Sequence, residues 1–390
     1  MTTQTQVLTS PRRSADVAAP AKEYTPFGIA DLQCLSVGKQ GASRPPLIGR
    51  QRELAQLRSA VARLGVGRNS AITVEGDTGA GKTMLLNELA FECRAAGIKV
   101  FHGAALPLEQ AVPFAALSSC MGGHLTEQVA DLRRSAGAPV GATAQIARNV
   151  AATLDRAAGE GPIALLLDDA QWADPMSMEV LTDLAAAGGV APLLVVVATR
   201  QRLRVPGWAG MWLGRLDEGS TAELALLTAG GPVPPDRLAL AEGIPRYVIA
   251  LADALGKRGP RIPSGEQARG TAGDVHPLGD LGPELHEVLV RELDSLPDRA
   301  RDVVEVVAVL GLSAAVEELA AVLAVSVDEA LTAAGEAISS GVLQQHSDEL
   351  TFRCRLLHQV VLLALPETVR IALRLQIDSA RETRSWERHD

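Results

Sequence analysis

The sequence predicts an α/β fold, in which a parallel sheet flanked by helices is followed by a mostly helical domain. Between residues 47 and 200, short and uniformly apolar segments alternate with segments of helical periodicity, as in parallel sheets whose strands are connected by helices. Beyond residue 283, several helical segments follow one another and lead into a hairpin. Because a chain of 390 residues exceeds one ordinary core, we expect two or three domains.

The composition limits the classes of function. Hydrophobic residues make up 47% of the chain and aromatic residues only 3%, so Ala, Leu and Val must fill the cores. The formal net charge of −9 argues against a general polyanion binder. No segment has the pattern of a signal peptide or a membrane span, so we expect a cytoplasmic protein without a membrane partner. Neither a zinc site nor a disulfide framework is predicted, because no CxxC pair occurs among Cys34, Cys93, Cys120 and Cys354.

The first folded domain is expected over residues 46–215, after a disordered tail over 1–45 in which Thr, Ser, Pro and Ala dominate without apolar periodicity. The domain begins with a helix over Arg50–Leu64, where apolar residues recur at three- and four-residue spacing. The following elements alternate between strand and helix: Ala71–Glu75, Lys82–Ala95, Lys99–His102 and Thr143–Ala158.

Two further apolar segments predict the centre of the sheet. Ile163–Leu167 and Leu193–Ala198 are too short for helices and too uniformly apolar for strands with one exposed face. They are typical of central strands in a parallel sheet that is covered on both faces. Met176–Ala187 supplies the helix that a right-handed crossover between them requires.

The second half of the chain predicts helical structure. We expect a small helical subdomain over 216–258, a linker rich in Pro and Gly over 259–283, and a terminal helix over 367–390. A winged-helix-like domain is expected over 284–366, because helices precede a hairpin from Gly341 to Arg353. The predicted helices are Glu284–Leu296, Asp298–Leu310, Ala314–Ala324 and Val327–Ser339.

The strongest motif is GDTGAGKT, a complete GxxxxGKT pattern between a predicted strand and a predicted helix. In such a P-loop the backbone amides and the positive end of the helix dipole surround phosphates. We expect ATP as the ligand, with Lys82 at the β- and γ-phosphates and the Thr83 hydroxyl on Mg²⁺. The alternative is a glycine-rich turn that matches by chance. The predicted binding residues are Gly76, Asp77, Thr78, Gly79, Ala80, Gly81, Lys82 and Thr83.

Two carboxylates follow the predicted strand Ile163–Leu167, at the sheet edge where ligands bind. Asp168 is placed to hold Mg²⁺, directly or through water, and Asp169 to polarise the attacking water of ATP hydrolysis to ADP and phosphate. Because Asp is one methylene shorter than the Glu usual in this role, hydrolysis is expected to be slow. The alternative interpretation is a pair of acids that cap the next helix.

Arg200 follows the strand Leu193–Ala198 on the same sheet edge. An arginine there can contact the γ-phosphate and so distinguish ATP from ADP. The alternative is an ordinary surface arginine.

Four motifs, LIGRQREL, GDTGAGKT, LLLDDAQWADPMSMEVL and VVVATR, together resemble the AAA-like ATPase module of STAND-type NTPases, above all that of the large ATP-binding LuxR-type transcriptional regulators. The resemblance covers about residues 46–370. It implies that Gly49 and Arg50 border the adenine, and that Gly243 to Pro245 form a GxP element that touches the nucleoside. It also places Trp172 and Asp174 in an extension of the Walker B motif.

This sequence departs from the pattern of that family at two points. Cys354 stands where many relatives carry a His after Phe-Arg, which puts that sensing arm in doubt, and His358 in its apolar stretch is more typical of a packed core residue. The helical-repeat sensor and the C-terminal helix-turn-helix of full-length regulators have no counterpart in the 390 residues.

These observations favour an ATP-dependent switch in signalling or transcriptional regulation that acts through a protein partner, with nucleotide-dependent homo-oligomerisation left open. One alternative is a DNA-handling ATPase of the initiator or loader kind. The predicted recognition helix over 326–340 argues against direct DNA binding, because it contains three acidic residues and no Lys or Arg. A second alternative is a nucleotide-binding scaffold without turnover.

Overall fold

The computed structural model describes residues 47–122, 142–159, 161–187, 191–256, 293 and 296–387. The predicted tail over 1–45 and the predicted linker over 259–283 lie outside the described residues. So does the predicted helix Glu284–Leu296, apart from residues 293 and 296.

The centre of the first domain is a parallel sheet of five strands in the order β2-β3-β4-β1-β5. Both central strands predicted from uniform apolarity are confirmed, and every residue of β3 and β4 is buried. The strands are β1 (Ser70–Gly76), β2 (Lys99–Ala104), β3 (Ile163–Asp168), β4 (Leu193–Thr199) and β5 (Ala209–Leu213).

Helices cover both faces of this sheet, as a parallel sheet with crossover connections requires. The predicted helices are confirmed to within one or two residues at each end, and α3 is an additional short helix against the edge strand β2. The helices are α1 (Gln51–Gly65), α2 (Lys82–Ala95), α3 (Ala115–Met121), α4 (Ala142–Ala158) and α5 (Pro175–Ala187).

The two apolar layers follow from the alternation of side chains along each strand. In β3, Leu165 and Leu167 belong to the layer that contains buried residues of α3, α4 and α5, whereas Ala164 and Leu166 belong to the layer of α1 and α2. This packing fixes the carboxyl ends of β1, β3 and β4 at one edge, where the P-loop, Asp168 and Arg200 lie.

The fifth strand, β5, was not predicted from the sequence. Its residues alternate between buried and exposed at its carboxyl end, and Trp212 is 44% exposed. Such a short edge strand lacks the uniform apolarity that marks β3 and β4. The sheet therefore extends one strand beyond the predicted strands.

Helices α6 (Glu218–Ala229), α7 (Pro235–Leu238) and α8 (Pro245–Gly256) occupy the predicted helical subdomain. Their buried residues share one hydrophobic cluster with those of the segment from 296 onward, so that Leu251 and Val303 lie in the same core. The domain boundaries proposed from the sequence stay a prediction.

The last described segment begins with α9 (Asp298–Leu310) and an antiparallel three-stranded sheet in the order β6-β8-β7. The order of elements is helix, strand, helix, helix and hairpin, and we call residues 298–353 the C-terminal domain. Its interpretation as a winged helix remains a prediction. The further elements are β6 (Ser313–Ala315), α10 (Val316–Leu323), α11 (Val327–Ser340), β7 (Leu343–His346), β8 (Glu349–Phe352), α12 (Arg355–Ala364) and α13 (Glu367–Glu387).

Two local signals define the ends of α11. Ser326 and Glu329 form a reciprocal capping box at its start, and Gly341 ends it with a φ of 91°. Glycine adopts a left-handed φ with less strain than any residue that has a Cβ. The chain can therefore turn sharply from α11 into the hairpin.

Within the described residues, no single helix is both long and apolar enough to cross a membrane. Among the helices of this described part of the chain, one bent pair, Arg355–Ala364 and Glu367–Glu382 with 108° between its helices, meets the criterion of length and composition when both are counted together.

Candidate nucleotide-binding site

The P-loop lies between the end of β1 and the start of α2, at the position that the sequence predicts. Gly79 and Gly81 have φ angles of 79° and 97°, which a residue with a Cβ adopts only under strain. A Cβ on Gly79 would also lie 2.9 Å from the Cβ of Arg246. The two glycines thus permit the tight loop whose amides precede the amino end of α2.

Lys82 is folded back into this loop. Its Nζ donates hydrogen bonds to the carbonyl oxygens of Gly76, at 2.7 Å, and Asp77, at 2.9 Å. Burial lowers the pKa of Lys82 to about 8, although nearby carboxylates led by Asp169 act in the opposite direction. The two carbonyl groups occupy two of the three donors of the ammonium and leave its charge uncompensated. An anionic ligand in the loop would compensate that charge.

Thr83 and Asp168 meet as predicted. The Thr83 hydroxyl donates to Oδ2 of Asp168 at 2.6 Å, and Oδ1 of Asp168 accepts from the backbone N–H of Asp169 at 2.9 Å. Burial, together with the charge of Asp169, raises the pKa of the Asp168 carboxyl. A buried carboxylate beside a hydroxyl gains most from a cation that replaces the lost solvation.

The donor set fits Mg²⁺. This ion is held in nucleotide sites by one or two protein oxygens together with substrate phosphates and waters. Across the described part of the chain there is no group of three or more His, Cys, Asp or Glu side chains that could hold a metal ion without such a ligand. Thr83 and Asp168 therefore suit a metal that arrives with the nucleotide.

Asp169 has a left-handed backbone with a φ of 50° and starts a short 3₁₀ turn over Ala170–Trp172. Its Oδ1 accepts a hydrogen bond of 2.7 Å from Nε2 of Gln171, and Oε1 of Gln171 accepts from the backbone N–H of Arg200 at 3.1 Å. One amide side chain therefore orients the Asp169 carboxylate and ties it to the end of β4. The sequence analysis missed this role of Gln171, although the residue lies two positions after Asp169.

Arg200 has partners on both sides of the site. Its Nε lies 3.9 Å from Oδ1 of Asp169, and its Nη1 donates to the carbonyl oxygen of Ser339 at 3.0 Å. Ser339 lies in the last turn of α11, so the guanidinium connects the sheet edge with the C-terminal domain. These contacts argue against the alternative of an ordinary surface arginine.

Arg50 is a buried arginine that supports the loop. Its Nη2 donates to the carbonyl oxygens of Ala80, at 3.0 Å, and Gly214, at 2.5 Å. Desolvation lowers the pKa of Arg50, although the ion pair with Glu53 acts in the opposite direction. The side chain thereby joins the P-loop to the end of β5, and its predicted position beside the adenine stays a prediction.

The predicted GxP element lies against the P-loop. Pro245 begins α8, and the backbone N–H of Arg246 donates to the carbonyl oxygen of Gly79 at 3.2 Å. Gly49 and Gly243 both pack closely on Leu216, because a Cβ on Gly49 would lie 2.6 Å from Cδ2 of Leu216 and one on Gly243 would lie 2.4 Å from its carbonyl oxygen. The predicted binding residues Gly49, Arg50 and Pro245 thus lie beside the loop on two separate segments.

The C-terminal domain contacts two residues of the P-loop directly. Nη1 of Arg353 lies 3.2 Å from Oδ1 of Asp77, and a Cβ on Gly341 would lie only 2.6 Å from the Thr78 hydroxyl. The sequence analysis did not single out Arg353. Its only local signal was its place directly before Cys354, the position at which the resemblance expects a sensing His.

The neighbours of Arg353 have packing roles. Cys354 is buried, and burial raises the pKa of its thiol to about 12. A ring nitrogen of His358 lies 3.0 Å from the carbonyl oxygen of Ala308, and burial lowers the pKa of the imidazole. His358 is therefore a packed residue, as its apolar surroundings predicted.

Asp174, in the predicted Walker B extension, is also internal and accepts hydrogen bonds from the backbone N–H groups of Phe114, Ala116 and Ser177.

Comparison with known proteins agrees with this geometry. Residues 46–196 match the family model described as "AAA ATPase domain". The Walker-type ATPase PABY2304 of Pyrococcus abyssi superposes with a TM-score of 0.51 and 13% identity, over 82% of this chain and 97% of that one. The fold is that of a P-loop ATPase. An AAA ATPase domain implies nucleotide binding and, usually, Mg²⁺.

Two other similarities are more limited. A STAND protein with a tetratricopeptide-repeat sensor, PH0952 of Pyrococcus horikoshii, aligns at 14% identity and a TM-score of 0.38 over 86% of this chain and 45% of that one. The uncharacterised protein R02095 of Rhizobium meliloti (strain 1021) is 26% identical over 287 residues, or 64% of this chain. The chain spans 26% of the length of that relative.

Proposed function

We propose that this chain is an ATP-dependent switch of the STAND type, which binds ATP with Mg²⁺, hydrolyses it slowly and signals to a protein partner in signal transduction or transcriptional regulation. One observation supports the proposal above all others. The P-loop, the two aspartates and Arg200 share one sheet edge, and the C-terminal domain contacts that same edge through Arg353, Gly341 and Ser339. A ligand in the loop therefore lies where two parts of the chain meet.

The proposed binding roles follow from the chemistry of the side chains. Lys82 and the loop amides hold the β- and γ-phosphates, and Lys82 exchanges its two carbonyl contacts for phosphate oxygens. Thr83 and Asp168 hold Mg²⁺, which when bound neutralises charge on the phosphates. Both oxygens already lie together, so little reorganisation is needed.

Asp169 is the proposed base that orients the attacking water. Gln171 holds its carboxylate, and Nε of Arg200 lies 3.9 Å from its Oδ1. The short side chain and the two existing contacts both restrict its reach toward the nucleotide. Slow turnover is the expected result.

Arg200 is the proposed link between nucleotide and conformation. Its Nη1 bonds the Ser339 carbonyl, near the negative end of the α11 dipole. A γ-phosphate competes with that carbonyl for the guanidinium, and the same dipole end repels it. ATP should therefore weaken the contact with the C-terminal domain, whereas ADP should leave it in place. A ligand shifts such an equilibrium by the difference between its affinities for the two states.

The test uses the full chain and calorimetric titration with Mg-ATP and Mg-ADP. We expect both to bind the wild-type protein and neither to bind Lys82→Ala, and unchanged affinity in that variant would remove the basis of the proposal. A pulldown with ADP or with a non-hydrolysable ATP analogue should then recover a partner with only one of them.

Measuring phosphate release from ATP distinguishes the switch, which hydrolyses ATP, from a scaffold that binds nucleotide without hydrolysing it. A gel shift distinguishes it from a DNA-handling ATPase, for which α11 is poorly suited, because Asp328, Glu329 and Glu336 are its charged residues. Salt-dependent duplex binding by the purified chain would reverse this ranking.

A further inference from the structure

The five-stranded sheet ends at β5, and within the described residues the outer edge of this strand has no partner. β5 pairs with β1 alone, and the backbone groups of residues 209–213 form no hydrogen bond there outside that pairing. Ala209, Gly210 and Trp212 are exposed as well. The N–H and C=O groups on the outer side of such an edge are a template for another extended chain.

The segment around β5 is positively charged. Residues 200–216 contain four Arg and no Asp, Glu or Lys, although the whole chain has a formal net charge of −9. Arg200 and Arg215 already bind acceptors on other segments. Arg202 and Arg204 are exposed and form no ion pair with any described residue. Two cationic side chains on the loop before the free edge are therefore available to an anionic ligand.

The position of Arg202 is fixed by the strand itself. Its Cζ lies 5.4 Å from the centroid of the Trp212 ring, a cation–π contact. Trp212 is 44% exposed, whereas its two neighbours in β5 are buried in the layer of α1 and α2. The loop is anchored where the backbone N–H of Leu203 donates to Oε1 of Glu75 at 2.9 Å. The guanidinium is thus preorganised beside β5 while its N–H donors remain available.

Glu75 does not neutralise this arginine. It lies opposite Trp212 in the register of β1 and β5. Its Oε1 accepts from two neutral donors, the N–H of Leu203 and, at 3.4 Å, the Thr73 hydroxyl. The carboxylate therefore holds the loop in place and leaves both exposed arginines unpaired.

The chemistry of this surface favours a peptide over a nucleic acid. The free edge of a strand pairs with another peptide backbone, which a sugar–phosphate chain cannot imitate. One face of the Trp212 ring is covered by Arg202, so less of the ring is open to a stacking base. Guanidinium groups bind carboxylates through paired hydrogen bonds.

We propose that β5 is a docking strand for an acidic, extended segment of a partner protein. The segment adds a further strand at the free edge of β5, and its carboxylates bind Arg202 and Arg204. Backbone pairing supplies the affinity, and the two arginines select the charge of the partner. The inference goes beyond the proposed function, because this surface contains none of the proposed nucleotide ligands and binds its peptide without ATP.

The experiment is fluorescence anisotropy with the full chain, without nucleotide, and a short labelled peptide in which Glu and Val alternate. Saturable binding is expected, and a peptide with Lys in place of Glu should not bind. A peptide that keeps Glu but carries a methyl group on every backbone nitrogen should bind about tenfold more weakly or worse, because it cannot donate to β5. Equal binding of the methylated peptide would overturn the inference, because charge alone would then explain the contact.

The double variant Arg202→Glu with Arg204→Glu tests the charge. It should bind the acidic peptide about tenfold more weakly or worse, because two attractive contacts become repulsive. Arg374→Glu is the control: the side chain is exposed on α13, forms no ion pair with any described residue, and its replacement shifts the net charge in the same direction. Its affinity should stay within about twofold of the wild type. Wild-type affinity in the double variant would overturn the inference.

Hydrogen exchange of the full chain locates the bound peptide. The acidic peptide should slow exchange of residues 209–213 and leave α13 unchanged. Exchange of β5 as slow as that of β4 before any peptide is added would overturn the inference, because the edge would then already be covered.

The remaining outcomes are also decisive. If the acidic peptide does not bind, or if a labelled single-stranded oligonucleotide binds in its place and is lost in the double variant, the inference fails. Thermal unfolding shows whether the double variant is folded; should it not fold, the peptide comparisons on the wild-type chain decide the question. None of these titrations contains ATP or ADP, so their failure leaves the proposed switch intact.

Discussion

Gly341 allows the contact between the C-terminal domain and the P-loop to be perturbed without changing any proposed ligand of the nucleotide. In Gly341→Ala the new Cβ would lie 2.6 Å from the Thr78 hydroxyl and 3.0 Å from the Thr78 Cβ, with a φ of 91°. A left-handed φ costs a residue with a Cβ about 1–2 kcal/mol. Overpacking at the contact costs about 1–3 kcal/mol more. When the C-terminal domain separates from the P-loop, the overpacking is relieved but the backbone strain remains.

Gly230→Ala is the matched control for the backbone strain. Gly230 ends α6 with a φ of 70°, and a Cβ there has no atom within 4 Å. Both variants should therefore lose about 1–2 kcal/mol of unfolding free energy in urea, but only Gly341→Ala should separate the surfaces. Because ATP is proposed to weaken this contact, ATP affinity should rise in Gly341→Ala relative to Gly230→Ala, by about tenfold for each 1.4 kcal/mol of relieved contact, while ADP affinity stays the same. Equal ATP affinities in the two variants would refute the reasoning.

Three further predictions concern single side chains. Lys82→Ala should lose detectable binding of both nucleotides in calorimetry, since Lys82 is the cation within the loop; binding within threefold of the wild type contradicts its role. Gln171→Ala should lower the rate of phosphate release about tenfold or more with little change in ATP affinity, because the orientation of Asp169 and its link to the Arg200 backbone are lost while every proposed phosphate and metal ligand remains; equal losses of rate and affinity would instead indicate a disrupted site. Ser326→Ala should reduce the unfolding free energy in urea by about 1 kcal/mol through loss of the α11 capping box, whereas Ser59→Ala, whose exposed hydroxyl only bonds the carbonyl of Ala55 within α1, should change it by less than half as much.

The sequence predicted those parts of the fold and site that local patterns encode. Strands β3 and β4 were predictable because each contains an uninterrupted apolar segment, Ile163–Leu167 or Leu193–Ala198, whose side chains are all buried. The meeting of Thr83 with Asp168 was predictable because carboxyl ends of parallel strands share one edge. Strand β5 was missed because an edge strand with Trp212 exposed has no distinctive periodicity.

The contacts between distant segments were not predictable from local patterns. Arg353 and Asp77 are 276 positions apart by their numbers, and their approach depends on how the C-terminal domain packs as a whole. The hydrogen bonds of Gln171 depend on the left-handed backbone of Asp169, which aspartate adopts more readily than most residues but still only in a minority of cases. Motifs thus indicated the chemistry of the site, and tertiary packing supplied the groups that connect it to the C-terminal domain.

Hydrogen exchange of the full chain tests most directly whether nucleotide controls this contact. The relevant peptides contain the P-loop residues Asp77 to Gly81 and the turn from Ser339 to Leu343. With saturating Mg-ADP both should exchange slowly, and with a non-hydrolysable ATP analogue the turn should exchange markedly faster while the P-loop remains protected. Identical exchange of the turn with both nucleotides would contradict the switch.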